Sequence, residues 1–261
     1  MNTTNIFYTI LSAACLLVLT ACNKGKDDFF YKGDMQPSMV KGYNGSNENL
    51  EVKVDTFKYE LESGTFDRNE AYIFPDGQNS VKLTITEQGS GKMMLEKEIK
   101  KGNGPVKINF FYMNGQVGNM PEKPAAEDGK IKITYLFMPT LTNYTQPVDI
   151  VLGKYYFTPK VFEEIKRIKN VKPYEFSEPV TISTFSTTGQ QYNGQNTPVL
   201  FKAYIYKSGT NEFYTNGTEY TWHATSSSAP TPPASSASSR LYIFSETDAD
   251  NSIRFIKNLE L

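Results

Sequence analysis

The chain has 261 residues, of which 39% are hydrophobic and 21% are charged, with 27 Lys and Arg against 28 Asp and Glu. This length and composition exclude wholesale disorder and predict one large or two ordinary globular domains. A net charge of −1 argues against nucleic acid as a partner, because phosphates call for a basic face. Both cysteines, Cys15 and Cys22, lie near the N-terminus, so the remaining chain has neither a disulfide nor a thiolate metal site.

Residues 1–21 predict a signal peptide, because the uncharged run 6–21 is shorter than the roughly 20 residues of a membrane span. Leu19-Thr20-Ala21-Cys22 closes this run and resembles the bacterial lipobox. The resemblance implies that the leader is removed before Cys22 and that Cys22 is acylated. An uncleaved anchor with an ordinary cysteine is the alternative. Ser12-Ala13-Ala14-Cys15 fits less well, because Ser stands where the lipobox prefers Leu.

The segment after Cys22 predicts where the protein is held. Lys26-Asp27-Asp28 resembles the signal that sends Bacteroides-type lipoproteins to the outer face of the outer membrane. This implies a lipid-anchored protein exposed on the cell surface, with the periplasmic face as the alternative. Residues 22–47, rich in Gly and Asn, predict a lipidated cysteine followed by a flexible tether.

Residues 48–140 predict a first β-sandwich domain, since apolar and polar residues alternate in short runs separated by glycine-containing turns. The alternation changes phase near Asp55-Thr56, which predicts a bulge or break, and residues 87–92 (EQGSGK) predict a hairpin loop. About 70 residues of this region resemble the immunoglobulin-like or transthyretin-like modules of bacterial surface proteins. The predicted strands are LEVKV, FKYEL, VKLTIT, MMLEKEI, VKINFFY and IKITYLF.

Residues 141–261 predict a second β-sandwich domain. One segment departs from the β pattern: Val161, Phe162, Ile165 and Ile168 share one helical face, and Thr158-Pro159 suits a helix start. The Ser-, Pro- and Ala-rich residues 225–239 predict an exposed, mobile loop. The remaining segments predict strands: PVTIST, PVLFKAYIY, FYTNGTEYTWHAT, RLYIFSE and SIRFIKNLEL.

The expected fold class is therefore mainly β, with two tandem antiparallel β-sandwich (immunoglobulin-like) domains and one short amphipathic helix.

Motifs for catalysis are missing from the sequence. One histidine excludes a multi-histidine metal cluster, and Gly89-Ser90-Gly91-Lys92 departs from a phosphate-binding loop at two positions. We predict no enzyme activity and no cofactor, with a polysaccharide hydrolase left open because paired carboxylates meet only in three dimensions. Asp248 and Asp250 resemble the start of a calcium loop without its glycine and glutamate, so a weak cation site or an acidic turn is expected there.

An aromatic cluster predicts the ligand site. Tyr214, Tyr220 and Trp222 fall in FYTNGTEYTWHAT, and Tyr192 with Asn193 offers polar groups in a loop. In a strand, Tyr220 and Trp222 share one face, where their rings suit stacking on a sugar. Trp222→Ala is then expected to abolish glycan binding. The alternatives are that Trp222 belongs to the core and that His223 is a hydrogen-bonded edge residue.

Two functions follow from this organisation. Anchor, spacer and tandem sandwiches resemble the accessory lipoproteins of starch-utilisation-type loci, which implies a non-catalytic surface protein that binds glycan or another nutrient. The alternative is an adhesin or fimbrial-type subunit that binds surface partner proteins and assembles by strand addition. In that case the C-terminal segment 252–261 is the strand to examine.

Overall fold

A computed structural model describes residues 35–261, and every helix or strand assigned in that range is a β-strand. The predicted signal peptide, Cys22 and Lys26-Asp27-Asp28 lie outside the described residues. Within the range, no helix is long and apolar enough to cross a membrane. The mainly β class is confirmed for this part of the chain, and the predicted helix is not found there.

The first eight strands form two four-stranded sheets that enclose one hydrophobic core. Alternation places Val52, Val54, Leu83 and Ile85 in that core, as the sequence predicts. The sheet orders are β4-β1-β7-β8 and β3-β2-β5-β6. The strands are β1 (Met35–Asn44), β2 (Leu50–Val54), β3 (Phe57–Leu61), β4 (Gly64–Ile73), β5 (Ser80–Glu87), β6 (Met93–Lys100), β7 (Val106–Met113) and β8 (Gln116–Gly118).

The later strands form a second pair of sheets around a second core. Their orders are β12-β9-β16-β17 and β11-β10-β15, and β13 pairs with β14 in a separate hairpin. The strands are β9 (Lys130–Met138), β10 (Val148–Tyr156), β11 (Val161–Val171), β12 (Val180–Ser183), β13 (Gln190–Tyr192), β14 (Gln195–Thr197), β15 (Val199–Lys207), β16 (Ser238–Ala249) and β17 (Ser252–Glu260).

The described chain has two halves, β1–β8 and β9–β17, and they repeat one strand order. In each, the first strand lies parallel to a late strand and antiparallel to the fourth: β1 lies between β7 and β4, and β9 lies between β16 and β12. The sheets are therefore not purely antiparallel. The immunoglobulin constant domain instead places its first two strands side by side. The second sheet of each half also corresponds: β3-β2-β5 in the first half matches β11-β10-β15 in the second. The described part of the second half has no strand that matches β6.

β9 connects the two halves. The boundary predicted at residue 140 separates it from β12 and β16, the strands with which it pairs. Tyr135 and Phe137 point into the second core, whereas Leu136 and Met138 on the opposite face join a third apolar cluster. Burial of both faces explains the nearly continuous apolar run of β9. The other members of this third cluster are Tyr43, Met113, Leu241, Ile243 and Leu259.

The predicted tether is wrong for the part that the structure describes, 35–47. Met35–Asn44 is a central strand, hydrogen-bonded to β4 on one side and to β7 on the other. Its inward-facing Gln36 and Ser38 are polar, which obscures the alternation in the sequence. Both are buried because backbone oxygens of Gly104 and Glu70 accept their hydrogen bonds.

The predicted helix over residues 158–170 is also wrong, because Val161–Val171 forms β11. Two register shifts against β10 each insert one extra residue in β11. One of these shifts separates the buried residues Ile168 and Val171 by three positions, and together with Ile165, which is 37% exposed, they imitate a helical period. Thr158-Pro159 belongs to the hairpin loop before β11, where the Lys160 amide donates to the Tyr156 oxygen at 3.0 Å.

Two further segments differ from the sequence prediction. Residues 213–225 form isolated bridges and turns rather than a strand. The loop predicted to be exposed over residues 225–239 is partly buried, since Ala229 and Ala234 belong to the second core. The Ala229 amide donates to the Ala203 oxygen at 2.9 Å, and the Ala203 amide donates to Ser228 Oγ at 3.0 Å. The segment thus covers the edge of β15, where small side chains let the backbone approach closely.

The break predicted near Asp55-Thr56 and the hairpin loop predicted at residues 87–92 are both found in the structure. Asp55-Thr56, where the phase changes, is the two-residue turn between β2 and β3, and Asp55 has a φ of 55°. Residues 88–92 form the loop of the β5–β6 hairpin, as predicted.

Candidate functional site

The predicted aromatic residues are part of the second core and its cover. Tyr214 is fully buried, and its hydroxyl donates to Glu246 Oε1 at 2.7 Å, so its ring is not open to a ligand. Burial, followed by the charge of Glu246, raises the pKa of Tyr214 well above its ordinary value. Trp222 is half-buried and stacks on Phe213 at 4.7 Å and 9°. Tyr220 is half-buried against the second core.

Tyr192 and Asn193 lie elsewhere. They belong to the β13–β14 hairpin, in which Asn193 and Gly194 take φ values of 49° and 81° in the turn. Tyr192 packs on Tyr156 at the end of β10. Trp222 packs on Tyr204, whose partner in β10 is Val151, five residues earlier. Five strand residues span about 16 Å, so the structure does not bring these predicted residues into one site.

The weak cation candidates form a tight turn. Asp250 and Asn251 are the two turn residues between β16 and β17, both with positive φ. Asp248 Oδ1 accepts a hydrogen bond from the Asn251 amide at 2.9 Å, which occupies one carboxylate oxygen in the turn. Across residues 35–261, no group of three or more His, Cys, Asp or Glu is placed to hold a metal ion.

His223 also has a local role. Its Nδ1 accepts the Ser226 amide at 3.3 Å, and its own amide donates to Ser227 Oγ at 2.8 Å. These bonds shape the start of the segment that covers β15.

A groove at the junction of the two halves offers a better site; we call it the junction groove. It consists of two adjoining clefts of about 620 and 520 Å³ that share Asn114 and Tyr174. One wall is the turn between β7 and β8, and the other is the connection between β11 and β12. The remaining polar wall of the larger cleft comes from Ser46-Asn47, Ser63-Gly64, Thr140, Ser245, Asn258 and the carboxylate of Glu246. Clefts at domain junctions are common places for small-molecule sites.

Aromatic rings line the smaller cleft. Phe111 stacks on Tyr43 with a centroid distance of 5.7 Å and lies 5.7 Å from Phe176 on its other side. Phe176 is 36% exposed and Val117 is 40% exposed. Their exposed surface gives a ligand an apolar face on which to pack.

Tyr174 stands between the two clefts. Its φ of 62° is unusual for a bulky side chain, and its amide donates to the Phe137 oxygen at 2.8 Å. Burial first, and the charge of Glu246 second, raises the pKa of Tyr174, so the hydroxyl stays protonated at neutral pH. Strained backbone of this kind is concentrated at ligand sites.

Amide and hydroxyl groups lie beside these rings, together with the carboxylates of Glu175 and Glu246. Asn258 lies beside Tyr43, and its Oδ1 accepts a hydrogen bond from Ser245 Oγ at 3.0 Å. Burial raises the pKa of Tyr43 to about 12. Amide and hydroxyl groups both donate and accept hydrogen bonds, as sugar hydroxyls do. The groove can therefore hydrogen-bond a sugar ring that packs against its aromatic wall.

Sequence reasoning missed this groove because its residues come from separate segments. Residues 43–47 fall in the predicted tether, 111–112 end a predicted strand, and 172–177 lie between the predicted helix and the strand PVTIST. The signals were Asn114-Gly115, which is typical of a tight hairpin turn, and two aromatic residues within 174–176.

Comparison with known proteins adds no identity. No protein-family profile and no curated protein matches the chain. A Bacteroides ovatus structure described as a "putative adhesin" is 8% identical, covering 85% of this chain and 92% of its own, with a TM-score of 0.23. "Putative polysaccharide binding proteins" from Bacteroides thetaiotaomicron are 8% identical, with 86% and 95% covered and a TM-score of 0.23.

A third solved structure is a family CBM26 module from Eubacterium rectale in complex with maltoheptaose. It is 10% identical, with 85% of this chain and 97% of the module covered and a TM-score of 0.19. At TM-scores this low, the likeness establishes neither fold nor function.

Proposed function

We propose that the protein is a non-catalytic glycan-binding lipoprotein, held by acylated Cys22 at the outer surface of the outer membrane, and that the junction groove is its binding site. The observation that carries the site is Tyr174 and the exposed ring of Phe176 beside neutral amide and hydroxyl groups. Residues 26–28 and the lipobox support the location, and the tether then ends before Met35.

The architecture proposed with this function is two tandem sandwich domains of one topology. The repeated sheet order supports it, as does the presence of two cores that share no residue. We place the boundary within residues 119–129, between β8 and β9, rather than at residue 140. The strand order departs from that of the immunoglobulin constant domain, because β1 and β2 lie in opposite sheets.

Tyr174→Ala and Phe176→Ala are each expected to weaken glycan binding about tenfold, since an aromatic contact of this kind contributes about 1.4 kcal/mol. The measurement is a glycan array with the full-length protein, followed by titration of the glycan that binds. Circular dichroism checks that each variant is folded, and Phe176→Ala serves where Tyr174→Ala destabilises the chain.

Tyr192→Ala is the matched control. Tyr192 lies in the β13–β14 hairpin, outside the junction groove, so this substitution is expected to leave binding unchanged. Trp222→Phe keeps the stacked ring and tests the site predicted from sequence. Binding that persists in both groove variants but is lost in Tyr192→Ala or Trp222→Phe would contradict the groove assignment.

An adhesin or fimbrial-type subunit is the second candidate. β17 is the outermost strand of its sheet, and Ile256 on it is 51% exposed. An exposed apolar edge strand is a template for pairing with another chain. Thr221 already pairs with the start of β17 at Ser252 and Ile253. Only the part of β17 after Ile253 is therefore free to pair with a strand of another chain. Polymers of the full-length protein in analytical ultracentrifugation would favour this function, and a strict monomer would count against it.

A further inference from the structure

A third cleft continues the junction groove past Phe176. It has a volume of about 510 Å³, lies between the edge strands β11 and β12, and shares Glu175 and Phe176 with the smaller cleft. Lys166 and Val171 both line it and pair with Leu152 and Val148 of β10, so the cleft extends about 13 Å along the strand. The three clefts thus form one path along the connection between β11 and β12.

This third cleft is basic. Its charged lining residues are Lys166, Arg167, Lys169, Lys172, Glu175 and Glu178, four basic against two acidic. The chain as a whole has a net charge of −1, so the cleft departs from the average surface. Like charges that line one concave surface strengthen the local potential for a ligand of opposite sign.

Two of these basic side chains are already paired. Arg167 contacts Asp149 at 3.2 Å and Glu164 at 2.9 Å, and its guanidinium lies over the Tyr206 ring. Lys172 lies 3.5 Å from Glu175 in an exposed pair, which contributes little.

Lys166 and Lys169 are different. Neither forms an ion pair with any carboxylate in residues 35–261, and both are exposed. An ammonium group on a flexible stem can reach an anionic group in the cleft without first breaking a contact within the protein.

We propose that the glycan is acidic, with a sugar face against Tyr174 and Phe176 and carboxylate or sulfate groups beside Lys166 and Lys169. This rests on the glycan-binding function proposed above. Stacking on Tyr174 and Phe176 supplies affinity for many different sugars. Lys166 and Lys169 make the site selective for anionic polymers.

The test is affinity electrophoresis of the full-length protein in gels that contain one polysaccharide each. The acidic probes are polygalacturonate, alginate and chondroitin sulfate, and the neutral probes are starch, xylan and methyl-esterified polygalacturonate. At least one acidic probe is expected to retard the protein. Raising the ionic strength to about 0.5 M should release it, because salt at that level screens charges more than a few ångströms apart.

The double variant Lys166→Glu with Lys169→Glu is expected to bind the acidic probe at least tenfold more weakly. Lys166→Arg with Lys169→Arg should retain binding. Lys53→Glu with Lys107→Glu is the matched control, since both residues are exposed on the first half and the net charge change is the same. The proposal is supported if the affinity for the acidic probe is unchanged in this control and is lost in Lys166→Glu with Lys169→Glu.

Two results would overturn it in distinguishable ways. If a neutral polysaccharide binds, with sensitivity to Tyr174→Ala but not to the lysine pair, the acidic ligand is wrong and the glycan-binding function stands. If no probe and no glycan on the array binds, the proposed function fails together with the inference.

Discussion

Replacing Glu246 with alanine is expected to lower the free energy of unfolding by about 4 kcal/mol. Glu246 on β16 is 4% exposed. Its carboxylate accepts hydrogen bonds from the amides of Leu141 and Thr142 at 2.7 and 2.8 Å, from Thr142 Oγ1 at 2.6 Å and from the Tyr214 hydroxyl at 2.7 Å. Truncation leaves these donors without an acceptor, and each buried donor so stranded costs about 1–3 kcal/mol. Thr140, in the loop that Glu246 holds, lines the junction groove.

Denaturant unfolding monitored by fluorescence measures this loss. Trp222 is the only tryptophan of the chain and packs against the second core, so its signal reports the half that contains Glu246. Glu246→Gln should lose less, because its amide oxygen still accepts. Glu96→Ala, whose exposed carboxylate pairs with Lys82 at 2.9 Å, should change stability by less than about 1 kcal/mol. A Glu246→Ala loss as small as that of Glu96→Ala would contradict the role assigned to Glu246.

Asp149→Asn is expected to cost about 3 kcal/mol at neutral pH, because it breaks a buried ion pair with Arg167. Burial alone would raise the pKa of Asp149. Hydrogen bonds from the amides of Asn170 and Gly209, from Ser208 and from Arg167 outweigh burial and hold the pKa below its ordinary value. The carboxylate thus ties the end of β11 to the turn after β15.

The pH dependence follows from the sign of this shift. The folded pKa lies below that of the unfolded chain, near 3.9, so Asp149 stabilises the fold above that value. The contribution is lost as the pH falls through the folded pKa. The difference in unfolding free energy between wild type and Asp149→Asn should therefore shrink as the pH falls below about 4.

Asp67→Asn is the matched control, since Asp67 pairs with Lys41 at 2.8 Å with both side chains about half exposed. It should shift stability by less than about 1 kcal/mol at any pH in this range. An Asp149→Asn difference that stays constant down to pH 2 would show that the ionised carboxylate is not what stabilises this corner.

Strands that bury one face by simple alternation could be predicted from the sequence. β2, β5 and β7 are of this kind, and the glycine-containing loop between β5 and β6 was located with them. β1 and β11 could not be recognised. Gln36 and Ser38 put polar groups on the buried face of β1, and the two extra residues of β11 interrupt its alternation.

The candidate site depended almost wholly on three-dimensional structure. Tyr174, Phe111 and Asn114 have no common spacing, because the groove forms where a turn of the first half meets a connection of the second. Strand alternation predicted that Tyr220 and Trp222 share one ligand-facing side. Residues 213–225 do not form a strand, and the Trp222 ring stacks on Phe213.

The sequence by itself determined the β class, because alternation of side chains is a local property of each strand. It also carries the lipobox-like Leu19-Thr20-Ala21-Cys22, since such a signal is read as a linear motif. Only the tertiary structure decided that residues 225–239 pack on β15, that Glu246 and Asp149 are buried acceptors, and that a groove joins the two halves. Each of these depends on contacts between residues far apart in the chain, and their free energy arises only when the sheets have assembled.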